Sequence, residues 1–170
     1  GEPHAEVNAI NNSKTDSFED CTMYVNLEPC SHFGKPPPCA DLIVEKKFKE
    51  VVVGMQDPNP LVAGQGLARL REANIEVVVG LYEAEARRLN PGFISRMTTE
   101  RPYVWLKSAA SLDGKTAMAD GESQWITGTE ARREVQQLRA RCQALMTGIE
   151  TVLKDDPRLT VRFEESEIRL

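Results

Sequence analysis

Hydrophobic and polar positions follow two different periods in the first hundred residues. Short apolar, β-branched runs predict strands at 22–27, 51–55 and 75–79. Amphipathic stretches predict helices at 4–12, 39–48, 64–74 and 83–97, the last interrupted by Asn90-Pro91-Gly92. Because helix and strand alternate over residues 4–80, the pattern favours an α/β layer whose sheet has a parallel component.

The pattern changes near residue 100. A long strand is predicted over 103–110, ending at the turn Asp113-Gly114. Beyond it the sequence predicts a helix over 129–141, a strand over 144–147 and a loop over 155–157. These features predict two domains, residues 1–99 and residues 100–170.

Composition narrows the classes of protein. With 170 residues, 41% of them hydrophobic, the chain is long enough to bury a core. A net charge of −5 argues against nucleic acid as the main partner, because binding phosphate backbones needs a basic face. No apolar stretch approaches the roughly 20 residues that cross a bilayer, so no membrane partner is expected, and no signal peptide is visible. Two of the four cysteines belong to a metal pattern, which predicts reduced thiols and a cytoplasmic location.

That metal pattern opens the chain. His4-Ala5-Glu6 is followed by Pro29-Cys30 and then by Cys39. His4, Cys30 and Cys39 are candidate zinc ligands, and three protein ligands leave a coordination position free for water, as in catalytic sites. Glu6 is the candidate group that moves a proton from that water to a leaving amine. Together these residues predict a zinc-dependent deaminase acting on an amino-substituted heterocycle.

The spacing between the two cysteines leaves alternatives open. The general deaminase signature places them two residues apart, whereas eight residues, 31–38, separate Cys30 from Cys39. Either Cys39 is not a ligand, or a loop is inserted between two ligands and reaches over the substrate. In the simplest alternative both cysteines are ordinary buried thiols and His4 is a solvated residue at a helix end.

Two further segments are candidates for substrate binding. His32 and Lys35 lie in the inserted loop, where they form either a cationic cluster for phosphate or part of an ordinary surface loop. Asp57 and Asn59 follow the strand 51–55. They either face a pocket at the carboxyl end of the sheet or simply form an Asx-Pro turn.

Taken together, several motifs resemble one family, the bifunctional deaminase/reductase of riboflavin biosynthesis. In the first half they are His4-Ala5-Glu6, Leu27-Glu28-Pro29-Cys30-Ser31-His32, Gly34-Lys35, Pro37-Pro38-Cys39 and Gln56-Asp57-Pro58-Asn59-Pro60. In the second half they are Leu106-Lys107, Ser111-Leu112-Asp113-Gly114, Ser123-Gln124-Trp125-Ile126-Thr127-Gly128, Leu138-Arg139-Ala140 and Asp155-Asp156-Pro157-Arg158-Leu159-Thr160-Val161-Arg162. The resemblance covers nearly the whole chain, and the eight-residue spacing is the one that this family shows.

The resemblance implies a fold and two reactions. A cytidine-deaminase-like, three-layer α/β/α domain, truncated at its N-terminus, would precede the start of a dihydrofolate-reductase-like α/β domain. The first reaction hydrolytically deaminates a diaminopyrimidinone ribosylamino 5′-phosphate, and the second reduces its ribosyl group to ribityl with NADPH. The chain would be a fragment lacking both ends, with a zinc site but with little or no reductase activity in isolation.

The resemblance also implies residue roles. Zinc would be held by His4, Cys30 and Cys39, with Glu6 as the proton carrier. The pyrimidine and phosphate pocket would be lined by His32, Lys35, Asp57 and Asn59. The reductase substrate would meet Ser123, Arg139, Leu159 and Arg162. The nicotinamide cofactor would lie along Ala109, Trp125, Thr127, Thr151 and Asp155. On residue types alone, without the resemblance, a solvated helix face is the simpler interpretation of the arginines 132, 133, 139 and 141.

Two other functions stay open at this point. One is a zinc deaminase of another nucleoside, nucleotide or tRNA base, joined to an unrelated C-terminal domain. The other is a structural zinc module without catalysis, which three ligands rather than four disfavour. The sequence leaves the choice of NADPH or NADH open, and it is compatible with a homo-oligomer without indicating its size.

Overall fold

The computed structural model describes residues 3–34, 37–163 and 166–168. The chain forms two compact units, Gly1–Trp105 and Leu106–Leu170, and each is described by itself. The narrower placing of a domain boundary between residues 99 and 100 stays a prediction.

The first unit is built on a three-stranded parallel sheet. Its strands are β1 (Thr22–Leu27), β2 (Glu50–Met55) and β3 (Glu76–Val79), in the order β1-β2-β3. Thr22 lies opposite Glu50, and Glu50 lies opposite Glu76, so all three strands begin at the same edge. The predicted strands and the predicted parallel component are therefore confirmed, and the carboxyl ends of the strands share one edge.

The first unit also contains five helices. They are α1 (Ala5–Asn11), α2 (Cys39–Glu45), α3 (Gln65–Glu72), α4 (Glu83–Leu89) and α5 (Pro91–Thr99). Predicted helices 39–48 and 64–74 are confirmed but end earlier, because Lys47 and Asn74 adopt left-handed backbone, with φ of 54° and 61°. The predicted interruption of helix 83–97 is confirmed at Asn90, and α5 begins at Pro91, where a missing N–H costs nothing.

Helices cover both faces of the central strand. Val51 and Val53 are fully buried on one face, in a core that includes Ile43 of α2 and Leu70 of α3. On the other face α4 approaches so closely that a Cβ on Gly54 would lie 3.0 Å from the Cβ of Ala86. The first unit therefore has the three-layer α/β/α arrangement that the resemblance implies.

The second unit contains two helices and a hairpin in its described part. They are α6 (Thr129–Ala140), α7 (Ile149–Asp155) and the antiparallel pair β4 (Val161–Phe163) and β5 (Ser166–Ile168). The helix predicted over 129–141 is confirmed as α6, which packs against β4. The predicted loop at 155–157 begins only after Asp155, the last residue of α7. Among the described residues, no helix is long and apolar enough to cross a membrane.

Two predicted strands are wrong. Residues 103–110 and 144–147 have no regular secondary structure, although their apolar side chains are typical of strands. A strand needs a neighbouring strand to bind its N–H and C=O groups. In the described part of the chain neither segment has such a neighbour. The turn at Asp113-Gly114 is confirmed, with the N–H of Gly114 donating to the carbonyl of Ser111 at 2.9 Å.

Candidate metal centre and active site

Three separate elements deliver the candidate zinc ligands to one point. His4 precedes the first turn of α1, Cys30 follows β1 after Pro29, and Cys39 is the first residue of α2. Their ligand atoms all lie within 4.8 Å of one another. The cluster therefore sits beyond the carboxyl end of β1, where ligands bind in parallel α/β sheets.

The distances between these atoms fit tetrahedral zinc. His4 Nδ1 lies 3.6 Å from Cys30 Sγ and 3.3 Å from Cys39 Sγ. Zinc bonds of about 2.0–2.1 Å to nitrogen and about 2.3 Å to sulfur, at the tetrahedral angle, place the two ligand atoms roughly 3.6 Å apart. Cys39 thus joins the cluster despite its distance from Cys30 in sequence, and the donor set is one that zinc accepts.

The negative charges around the cluster also favour the binding of a cation. Cys39 is 1% exposed, and its N–H donates to Cys30 Sγ at 3.2 Å. Burial, followed by the negative charges of Glu6 and Cys30, raises the pKa of the Cys39 thiol. A coordinated divalent cation reverses this balance and keeps such a thiol deprotonated. Thiolate and imidazole donors favour zinc over harder ions such as magnesium or calcium.

Glu6 stands beside the ligand atoms rather than among them. It is half-buried on α1, and the negative charge of its carboxylate contributes to the raised pKa of the Cys39 thiol. A carboxylate next to a metal centre, but outside the ligand set, is placed to take and return a proton. This is the position that the sequence predicts for Glu6.

The loop after β2 forms the predicted turn and approaches the end of β1. Asp57 Oδ1 accepts the N–H of Asn59 at 2.8 Å, and Asn59 Oδ1 accepts the N–H of Leu61 at 3.1 Å. These are Asx-type bonds, so the turn interpretation of Asp57 and Asn59 is confirmed, while a role toward substrate stays a prediction. In the inserted loop His32 is exposed, and Lys35 lies outside the described residues.

In the second unit two predicted arginines meet around one threonine. Arg139 Nη1 donates to the carbonyl of Thr160 at 3.1 Å, and Arg162 Nη1 donates to its hydroxyl at the same distance. Burial, and then the charge of Arg162, lowers the pKa of Arg139. Leu159 precedes this threonine and has a left-handed φ of 54°. The structure thus brings Arg139, Leu159 and Arg162 together, and two adjacent guanidinium groups favour an anionic ligand.

A third arginine orders a predicted cofactor segment. The guanidinium of Arg132 lies 4.3 Å from the centre of the Trp125 ring, and its Nη1 donates to the carbonyl of Thr127 at 2.5 Å. Arg132 therefore does more than form a solvated helix face. The remaining predicted residues lie elsewhere in the unit, in irregular segments or on α7, and their roles stay predictions: Ala109, Ser123, Thr151 and Asp155.

One buried residue close to the metal cluster has no role among the sequence-based predictions. Glu28 directly follows β1, is 5% exposed, and accepts backbone N–H bonds from residues 57–67. Its only sequence signal is an acidic residue between a strand and Pro29-Cys30. That signal does not reveal which amides it would bind.

Comparisons with known proteins agree with this geometry. Residues 1–55 match the cytidine and deoxycytidylate deaminase zinc-binding region, and residues 102–169 match the RibD C-terminal domain. The riboflavin biosynthesis protein RibD of Escherichia coli K12 is 56% identical over 97% of the chain, and that of Aquifex aeolicus VF5 is 50% identical over 98%. The chain belongs to the RibD family. It spans about half the length of these RibD proteins, 45% and 47% respectively.

Solved RibD structures are also similar to this chain. Acinetobacter baumannii RibD, form 1, matches 95% of the chain and 45% of its own length, with a TM-score of 0.89 and 52% identity. A diaminohydroxyphosphoribosylaminopyrimidine deaminase/5-amino-6-(5-phosphoribosylamino)uracil reductase from Thermotoga maritima matches 98% of the chain and 48% of its own length. Its TM-score is 0.91 and its identity is 46%. The predicted fold class is therefore confirmed: a cytidine-deaminase-like domain followed by RibD C-terminal, dihydrofolate-reductase-like sequence.

Proposed function

We propose that this chain carries the zinc-dependent deaminase of riboflavin biosynthesis and the first part of an NADPH-dependent reductase. The deaminase substrate is 2,5-diamino-6-ribosylamino-4(3H)-pyrimidinone 5′-phosphate. The observation that supports this most strongly is the convergence of His4, Cys30 and Cys39, with the Glu6 carboxylate beside them. The name of the Thermotoga maritima protein pairs the same two activities.

Three residues bind the metal in the proposed deamination, and a fourth transfers protons. His4, Cys30 and Cys39 hold zinc, which when bound supplies a Lewis acid and makes water a stronger nucleophile at neutral pH. The Glu6 carboxylate accepts the proton of the attacking water and donates a proton to the departing amino group. Its position on the first turn of α1, two residues after the ligand His4, keeps it beside the metal centre for both transfers.

The substrate is held by the two loops that flank the metal ligands. His32 and Lys35 supply cationic or polar contacts from the loop between the cysteines. Asp57 and Asn59 contribute from the loop after β2, which hydrogen-bonds the end of β1 through the N–H of Asp57. A phosphorylated pyrimidine suits this combination of carboxylate, amide and cationic groups.

In the reductase part the arginine pair supports phosphate binding. Arg139 and Arg162 converge on Thr160, and with Ser123 and Leu159 they would hold the ribosyl phosphate substrate. NADPH would lie along the segment that Arg132 orders and along α7, through Ala109, Trp125, Thr127, Thr151 and Asp155. The reaction then reduces the ribosyl group to ribityl.

Replacing Arg139 with glutamine tests the phosphate contact. In the full-length protein we expect the KM for the deaminated ribosyl phosphate to rise about 10- to 100-fold, because a charge-assisted hydrogen bond is lost. The KM for NADPH should stay unchanged. Arg141→Gln, which removes a guanidinium just after α6, is the matched control. Equal effects of the two variants on the substrate KM would contradict the assignment.

The cellular location and the binding partners are part of the same proposal. All four cysteines are free thiols, which suits a reducing, cytoplasmic setting. The net charge of −5 suits a small-molecule substrate better than nucleic acid. A homo-oligomer is compatible with both statements and stays a prediction.

Ammonia release by the full-length protein tests the proposed function. The diaminopyrimidinone ribosylamino 5′-phosphate should be deaminated, while cytidine and tRNA adenosine should not be. Turnover of either of the latter, together with none of the pyrimidinone phosphate, would replace this proposal with the nucleoside or tRNA deaminase. Tightly bound zinc without turnover of any amino heterocycle would favour a structural zinc module.

A further inference from the structure

The buried carboxylate of Glu28 accepts four backbone hydrogen bonds. Its Oε2 accepts the N–H of Asp57 at 3.1 Å and that of Gly64 at 2.9 Å. Its Oε1 accepts the N–H of Gly66 at 2.8 Å and that of Leu67 at 3.3 Å. One side chain at the end of β1 therefore binds both the loop after β2 and the first turn of α3.

The two bonds to Oε2 join the ends of one segment. Asp57 opens the loop that contains the Asx turns, and Gly64 closes it as the residue before α3. A single oxygen thus fixes the separation of these two ends and ties both to Glu28. The substrate-binding candidates Asp57 and Asn59 lie within this closed segment, residues 57–64.

A close backbone approach lies next to these hydrogen bonds, between the start of α3 and the residue that follows Glu28. A Cβ on Gly66 would lie 2.1 Å from the carbonyl oxygen of Pro29, a distance that real Cβ atoms do not show. The start of α3 is therefore pressed against the residue between Glu28 and Cys30. Any shift of the loop or of α3 would be transmitted directly to the chain that carries a candidate zinc ligand.

We propose that Glu28 is a positioning residue that holds segment 57–64 at a fixed position relative to the zinc ligand Cys30. The inference rests on the proposed function, since it assigns Asp57 and Asn59 to substrate binding. Glu28 touches neither substrate nor metal ligand atoms through its carboxylate, whose bonds all go to amides. It acts by setting the distance between the substrate loop and the metal centre.

Glu28→Gln is the primary test because it keeps the side-chain shape but replaces one acceptor oxygen with a donor. One pair of amides then loses its acceptor, and buried unpaired amides are unfavourable. In the full-length protein we expect faster amide hydrogen exchange in segment 57–64. The KM for the pyrimidinone phosphate should rise about 10-fold with a smaller change in kcat, while zinc remains bound at its normal stoichiometry.

Two further variants make this test specific. Glu50→Gln removes a carboxylate at the opposite edge of the sheet, where Glu50 accepts a bond from the Thr22 hydroxyl at 2.9 Å, and should leave exchange in segment 57–64 and KM unchanged. Glu28→Asp keeps the charge and both acceptors on a shorter side chain. It should give an intermediate KM, and it supplies the measurement if the glutamine variant does not fold.

The outcomes separate the inference from the proposed function. A Glu28→Gln protein with unchanged exchange in segment 57–64 and unchanged KM, measured well below its melting temperature, would overturn the positioning role. Loss of zinc in parallel with the rise in KM would also overturn it, because Glu28 would then support the ligand cluster itself. If the unaltered protein did not deaminate the pyrimidinone, the proposed function would fail. The exchange comparison would still decide whether Glu28 holds the loop.

Discussion

Replacing Glu6 with glutamine is expected to lower the deamination rate by about 10²- to 10⁴-fold while zinc stays bound. Glutamine keeps the size and a hydrogen-bonding end, but it cannot carry a proton from water to the leaving amine. The structure places this carboxylate beside Cys39 and outside the ligand set. Ammonia release and metal content, measured on the same preparation, check both parts of the expectation.

Glu45→Gln is the matched control for this substitution. Glu45 is an exposed carboxylate at the end of α2, the helix that begins with Cys39, so its loss should change neither rate nor zinc content. A Glu6→Gln protein that deaminates at the rate of the control would exclude Glu6 as the proton carrier. Loss of zinc in that variant would make Glu6 part of the metal-binding set instead.

Replacing Cys39 with serine should weaken zinc binding by more than about 100-fold and abolish deamination. Removing a group that only supports a metal ligand already costs roughly 10- to 100-fold in affinity, so removing a ligand should cost more. Serine is close in size to cysteine, so the packing of this 1% exposed side chain should change little. Competition with a chelator measures the affinity, and a thermal melt without metal reports any loss of stability.

Cys21→Ser is the control for that experiment. Cys21 is also a free thiol of the first unit and packs against its core, but it lies outside the cluster of His4, Cys30 and Cys39. It should keep full zinc affinity and full activity. Equal zinc affinity in the two serine variants would show that Cys39 is not a ligand, and the alternative of an ordinary buried thiol would then hold.

Much of the first unit could be predicted from sequence because its signals are local. Buried parallel strands such as 51–55 are continuous β-branched runs, and the helices between them have apolar positions at helical spacing. Helix ends were less accurate, since Lys47 and Asn74 are not residues whose type demands left-handed backbone. The strands predicted at 103–110 and 144–147 were wrong because pairing depends on a partner strand, which local composition does not reveal.

In the candidate site too, residues with a local sequence signal could be predicted, whereas a residue defined by its tertiary contacts could not. His4, Glu6, Cys30 and Cys39 could be found because ligand types and a proton carrier occur in a recognisable order, and the structure brings them together. The role of Glu28 could not be predicted, because its four partners are backbone amides. Every residue type except proline has such an amide, so the sequence does not indicate which ones bind.

The arginines of the second unit show the same limit. A helix face rich in arginine is ordinarily solvated, and local sequence does not distinguish one cation from the next. Arg132 contacts an aromatic ring and a carbonyl in the segment before its own helix. Arg139 reaches a threonine that is distant in sequence. Both contacts depend on how the chain packs.

Metal titration of the apoprotein tests most directly the central claim that His4, Cys30 and Cys39 hold a catalytic zinc. The full-length protein is stripped with a chelator, zinc is returned in measured steps, and ammonia release from the diaminopyrimidinone ribosylamino 5′-phosphate is followed at each step. We predict negligible turnover without metal and a linear rise that saturates at about one zinc ion per deaminase site. Turnover by the stripped protein at the full rate, or full zinc loading with no turnover, would contradict the assignment.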